Sequence, residues 1–165
     1  MNETEVKEQV YAALAAAGIP YERVDHPAVF TIEEMDQLDL PHPEAVVKNL
    51  FLRDAKGKRH FLAVLPGHRS ADLKTLGEKV GSKLSFASEE RLEKYLGLTR
   101  GSVTPLGVLN DEARAVEVLF DRALEAMPLM GVHPNHNTAT VFLRPGDLVQ
   151  LIKDHGNPFA WVDLA

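Results

Sequence analysis

The sequence predicts a mixed α/β fold: one domain with a central mixed β-sheet flanked by helices. Three observations lead there. Helical periodicities and hairpin signatures are interspersed without the strict βαβ alternation of a doubly wound sheet. The stretch Ala45–Asp54 is a strand whose two faces are both mostly apolar, as expected of a strand covered on both sides. No repeat, low-complexity run or long linker divides the 165 residues, and 45% hydrophobic content is enough for one core.

The elements follow in order. Glu3–Ala17 carries Val6, Val10, Leu14 and Ala17 at helical spacing, with Gly18 as its stop. Ile19-Pro20 turns into a short strand, Tyr21–Asp25, which His26-Pro27 ends because proline removes a ladder donor. Thr31-Ile-Glu-Glu has the form of a capping box and starts a short helix to about Leu38. Leu40-Pro-His-Pro is a stiff connector into the Ala45–Asp54 strand. The charged turn Asp54–Arg59 returns the chain as an antiparallel strand, His60–Leu65. Ser70 or Asp72 caps a helix to about Val80, and a loop and short strand follow to Phe86. Ser88 opens a compact helix that Gly97 closes. Beyond the Gly101–Pro105 loop, the apolar Leu106–Leu109 reads as a strand, as do Ala115–Phe120, Leu129–Val132 and Thr138–Arg144. Asp121–Ala126 is a turn or short helix, Pro145–His155 a helix with proline in its first turn, and Trp161-Val162 an edge strand.

Composition narrows the function classes. With no cysteine there are no disulfides, thiolate metal sites or cysteine nucleophiles. No apolar run approaches the ~20 residues that span a bilayer, and the acidic N-terminus lacks a signal-peptide layout, so a cytoplasmic protein without a membrane partner is expected. The net charge of −6 is unevenly distributed. Residues 48–83 hold 9 basic and 3 acidic side chains, a local footprint for a polyanion within an acidic protein. A solvated basic face with no partner is the alternative.

Strict alternation puts Val46, Lys48, Leu50 and Leu52 on one face of the first long strand, and Val47, Asn49, Phe51 and Arg53 on the other. The Lys48 ammonium therefore shares a face with aliphatic side chains. It needs a buried partner, a route past the sheet edge or a cleft to serve, and the residues alone leave these open. In His133-Pro-Asn-His136, proline keeps the two imidazoles off a regular helix face and no carboxylate accompanies them, so no metal site is expected. No nucleotide-binding glycine loop or nucleophile elbow is present. Gly101-Ser102-Val103-Thr104-Pro105 is a tight loop whose backbone N–H groups can face a cleft and hold a carbonyl oxygen or a water.

Taken together, Val47–Leu52, the Gly101–Pro105 loop, Gly131–Thr140 and Asp147-Leu148 resemble the YbaK/prolyl-tRNA-synthetase-associated editing family. The likeness is strongest to its free-standing PrdX-type branch, the ProXp-ala deacylases of Ala-tRNA(Pro), and runs from Ile19 to Trp161. The resemblance implies a mixed-sheet domain that hydrolyses the ester of a mischarged tRNA(Pro) without a cofactor. Its partners would be the charged acceptor end and, transiently, prolyl-tRNA synthetase. Lys48 matches the family's signature lysine, which holds the terminal phosphate or the amino-acid end. Gly101, Ser102, Val103, Thr104 and Pro105 match the loop that positions ester and water, and Asn49 and His133 match pocket positions of the alanine branch. Cysteine-specific relatives tend to carry threonine after the lysine, so Asn49 favours alanine. Lys83 falls where a basic residue, often arginine, meets the acceptor stem; lysine lacks arginine's bidentate fork. Other aminoacyl-tRNA substrates and a non-catalytic binding module are the competing readings.

Overall fold

The computed structural model describes residues 2–164 and builds them into two sheets that meet at one point. The larger is mixed and five-stranded. β2 (Val47–Arg53) and β3 (His60–Pro66) form an antiparallel hairpin in continuous register, from Val47 opposite Pro66 to Arg53 opposite His60. The turn holds because the Asp54 carboxylate accepts the Lys58 and Arg59 N–H groups at 2.8 and 3.2 Å. β5 (Val116–Asp121) runs parallel to β3, β8 (Phe159–Val162) runs parallel to β5, and the two-residue β4 (Ser85–Phe86) pairs with the end of β2. The strand order is β4-β2-β3-β5-β8.

The smaller sheet is antiparallel: β1 (Glu22–Asp25), β7 (Ala139–Leu143) and β6 (Met130–Val132), with β7 in the middle. Where the sequence predicts one sheet, the structure has two, linked by a parallel bridge between Val46 and Gly131.

The centre of the large sheet is β3, not β2. Leu62 and Val64 face one apolar cluster with Phe120, Leu106, Leu148 and Ile152; Phe61, Ala63 and Leu65 face another with Leu76, Leu84 and Leu164. Each such aliphatic or aromatic side chain contributes about 1.5–3 kcal/mol on burial. β2 follows the same alternation, with Val47 and Phe51 in the first cluster and Leu52 in the second. Its pairing is lopsided, however, because β4 meets it only at Leu52 and Arg53.

Helices cover the sheets with the expected caps. α1 (Glu3–Ala16) begins at Asn2, whose side chain accepts from Glu5 N–H, and buries Val10, Tyr11 and Leu14. Thr31 caps the short α2 (Ile32–Asp36), while Glu34 reaches one residue further back than in a standard capping box, to Phe30 N–H at 3.3 Å. Asp72, rather than Ser70, caps α3 (Leu73–Val80), and Ser88 caps α4 (Glu89–Leu96). α5 (Pro145–His155) places proline in its first turn and Gly156 past its end at φ 105°.

One predicted strand is absent. Pro105–Asn110 is a 3₁₀ helix that buries Leu106 and Val108, with Thr104 as its cap. A short apolar run reads alike as buried strand or buried helical turn, and Pro105 with a threonine before it settles the matter toward the helix.

A buried polar node joins the start of β5 to the approach to β8. Asp111 Oδ2 accepts from Val116 N–H (2.9 Å) and Asn157 Nδ2 (2.8 Å), and Asn157 also donates to Val116 O (2.9 Å). Asn157→Leu removes these donors from a buried carboxylate and a buried carbonyl. The variant is expected to lose roughly 1–3 kcal/mol in denaturant unfolding, whereas an exposed control such as Glu125→Gln stays within about 0.5 kcal/mol.

Candidate active site

The half-open edge of β2 makes the site. Among the described residues, β4 pairs with β2 only at Leu52 and Arg53, with Ala87 N–H reaching Phe51 O just beyond, and between the rest of this edge, β6 and the segment around α2 there is a cavity of about 230 Å³. Lys48, Asn49, Gly101, Val103 and His133 line it, with Phe30, Ile32 and Met35 as apolar walls. Alternation predicts opposite faces for Lys48 and Asn49. The register has no bulge, yet both border the cavity, because it opens along the strand's edge rather than over one face.

Lys48 Nζ donates to the carbonyl of Arg69 at 2.8 Å, and among the described residues no carboxylate lies within ion-pair distance of it. The buried-pair alternative is therefore removed. An ammonium has three N–H donors, so the backbone tether leaves capacity for a ligand. Arg69 is itself held by the buried Asp121 at 3.4 Å.

Asn49 is the less obvious finding. Its Oδ1 is buried and, among the described residues, has no hydrogen-bond partner. An orphaned acceptor of this kind costs about 1–3 kcal/mol until a donor arrives.

His133 approaches from the end of β6. Its Nδ1 lies 2.8 Å from Ala139 O; a carbonyl only accepts, so Nδ1 carries the proton and Nε2 keeps a lone pair. Burial, assisted by His26 and His136, pushes the pKa down to about 4, against the opposing Ala139 hydrogen bond. The ring is therefore a neutral acceptor at neutral pH. His26, 6.0 Å away between ring centres, donates to Pro27 O and accepts from the hydroxyl of Thr140, another cavity residue.

The Gly101–Pro105 loop divides between lining and support. Gly101 and Val103 line the cavity, and their N–H groups make no hydrogen bond with the described residues. Ser102 is buried and its N–H is taken by Thr99 O at 3.0 Å. Thr104 Oγ1 donates to His133 O at 2.7 Å and so ties the loop to the histidine; Pro105 starts the buried 3₁₀ helix. Gly101 has φ 86°, and a Cβ there would lie 2.5 Å from Phe30 Cδ1. Asn137 Nδ2 holds the same wall by donating to Val29 O at 2.7 Å.

Lys83 is not in this site. It lies between α3 and β4 and lines a separate hollow with Leu73, Gly77 and Leu84. The contribution of Phe30 carries no sequence signal, and those of Asn137 and Thr140 are signalled only by their place in the Gly131–Thr140 segment, since each depends on long-range approach. Among the described residues, no three His, Asp or Glu side chains converge as a metal-ligand set.

The family model of the aminoacyl-tRNA editing domain matches residues 26–151, which contain every residue of the cavity. The chain belongs to the aminoacyl-tRNA editing domain family. This editing domain is 50% identical over 161 residues to the prolyl-tRNA editing protein ProX of Acetoanaerobium sticklandii, covering 97% of this chain and 98% of that one. It is 34% identical to the mouse (Mus musculus) prolyl-tRNA synthetase associated domain-containing protein 1, covering 95% of each. A crystal structure of a candidate trans-editing enzyme for prolyl tRNA synthetase superposes with a TM-score of 0.77 at 23% identity, over 99% of this chain and 98% of that one, and so shares the fold.

Two outcomes follow from the site's geometry. Gly101→Ala is expected to lower the melting temperature and change the environment of Phe30, read from its aromatic NMR resonances; an unshifted melt would show the loop to be pliant. Folding keeps His133 neutral, whereas the unfolded chain protonates it below about pH 6.5. Its contribution to stability is complete above that pH and is lost as pH falls from about 6.5 to about 4. Buried His60, whose pKa is also lowered by burial and by Arg91, acts in the same direction. NMR should find the His133 ring neutral at about pH 5.5, and His133→Gln should flatten the acid limb of the stability profile.

Proposed function

We propose that this editing domain is a trans-acting deacylase that hydrolyses the ester of alanine wrongly attached to tRNA(Pro), by a positioned water and without a metal. The observation that carries the reading is a pair of unsatisfied polar groups in one small cavity: the Lys48 ammonium with spare donors, and the buried acceptor Asn49 Oδ1. An aminoacyl ester complements both, with an α-ammonium for Asn49 and a phosphate or ester oxygen for Lys48. The name of the Acetoanaerobium relative, a prolyl-tRNA editing protein, supports the same choice of tRNA.

The chemistry needs little beyond positioning. The water oxygen bonds to the ester carbonyl carbon, and the carbonyl oxygen takes up charge facing the Gly101 and Val103 N–H groups, an oxyanion-type arrangement. His133 Nε2 accepts a hydrogen bond from the water and fixes its lone pair toward the carbon. The carbon–oxygen bond to the terminal ribose then breaks. Alanine leaves as its carboxylate, the ribose hydroxyl recovers a proton, and one proton passes to solvent. Ile32 and Met35 limit the cavity, so larger side chains are excluded by clash, whereas each missing methylene changes selectivity by only ~1–3 kcal/mol.

The test is deacylation of Ala-, Cys- and Ser-charged tRNA(Pro) side by side, with and without a chelator. Fastest clearance of the alanyl ester, unchanged by chelation, is expected. Preference for the cysteinyl ester would reassign the substrate, loss on chelation would overturn the metal-free route, and binding without turnover on any ester would make the chain a binding module. Lys48→Ala should reduce turnover by orders of magnitude. Its melt should shift by no more than about 1 kcal/mol, because only the Arg69 carbonyl loses a partner and no carboxylate is stranded.

A further inference from the structure

The ester cavity does not end at Asn49. A second hollow, of about 400 Å³, adjoins it, and Asn49 and Val103 line both. Its floor is apolar, with Phe51, Ala87 and Leu92. At one wall stands Phe86, on the short β4 and 63% exposed. Among the described residues, it and Phe30, at 62%, are the two large apolar side chains exposed to this degree. At the rim is Arg100, the residue before Gly101, whose side chain is 85% exposed and touches Glu89 at 3.5 Å. A surface ion pair of that kind contributes little and exchanges readily.

We infer that this second hollow is a nucleoside subsite, in which Phe86 is a stacking platform for an unpaired base at the 3′ end of the tRNA and Arg100 meets the adjoining phosphate. The inference rests on the editing reading. An ester on the terminal ribose placed beside Lys48 and Asn49 must send its nucleic-acid chain out of the cavity, and the hollow that shares Asn49 and Val103 lies directly beside it. A flat aromatic face over an apolar floor suits any base, because stacking needs only a π-face. The guanidinium at the rim supplies the cation that a phosphate requires. Glu89 opposes the anion, so its removal has a predictable sign. The volume lies within the ~300–1,000 Å³ typical of small-ligand sites.

The test uses equilibrium binding of an uncharged hairpin RNA that mimics the acceptor stem, with its unpaired 3′ end or cut blunt. Wild-type protein should favour the overhanging RNA. Phe86→Ala should weaken that RNA by roughly ten- to a hundredfold and leave the blunt stem unchanged, and Phe86→Trp should restore it. Arg100→Gln should weaken binding and flatten its salt dependence, while Glu89→Gln should tighten it. Equal binding of both RNAs by wild type and Phe86→Ala overturns the subsite. So does a Phe86→Ala change that splits an oligomer in solution while RNA affinity stays the same, since the hollow would then seat a second copy. Turnover of charged tRNA keeps the two readings apart. Full turnover with an indifferent Phe86 removes only the subsite; no turnover by wild type removes the deacylase, whatever the RNA binding.

Discussion

Everything distinctive about this protein depends on β2 being paired along its whole length on one side and only at its end on the other. A fully paired strand would bury its edge donors and acceptors in a ladder and leave no room for a ligand. Here β3 fixes β2 in register through all seven residues, while β4 covers only Leu52 and Arg53. The Val46–Gly131 bridge then brings the smaller sheet alongside without closing the gap. The gap is the candidate site. Rigidity on one side and vacancy on the other are produced by the same strand, so Lys48 and Asn49 are presented from well-packed backbone rather than from a loop.

Much of the fold was legible in the residues because its signals are local. Thr31 and Ser88 cap helices where they were expected to, and the Asp54–Arg59 turn joins the hairpin. Leu106–Leu109 failed because burial, not strand pairing, explains its apolar run. The second sheet failed for another reason: pairing between β1 and β7 joins residues more than a hundred positions apart, and no local pattern reports that.

The site was legible to the same degree. Lys48 was conspicuous as a charge in an apolar strand, but its tether to the Arg69 carbonyl was invisible, because any backbone carbonyl could have served. Alternation put Asn49 and Lys48 on opposite faces, as the unbroken register does, but it is silent about the strand's edge, where both border the cavity. The Gly101–Pro105 loop was read as a unit, whereas the structure gives lining to Gly101 and Val103 and support to Ser102, Thr104 and Pro105. The likeness of motif order assigned Lys83 to the acceptor stem, and the structure sets it in a separate hollow between α3 and β4.

The hydroxyl of Thr104, bonded to the carbonyl of His133, has a consequence for how the chain acquires its function. It joins two walls 29 residues apart in sequence: one follows α4, the other ends β6 in the separate small sheet. The second wall belongs to a sheet whose β1–β7 pairing spans more than a hundred residues, and closing a loop of that length is the entropically costlier step. A nascent chain that has made the β2–β3 hairpin already presents Lys48 and Asn49, yet has no opposite wall. Enclosure therefore depends on the docking of the small sheet, and a chain in which that sheet is undocked offers the polar groups without the wall that faces them.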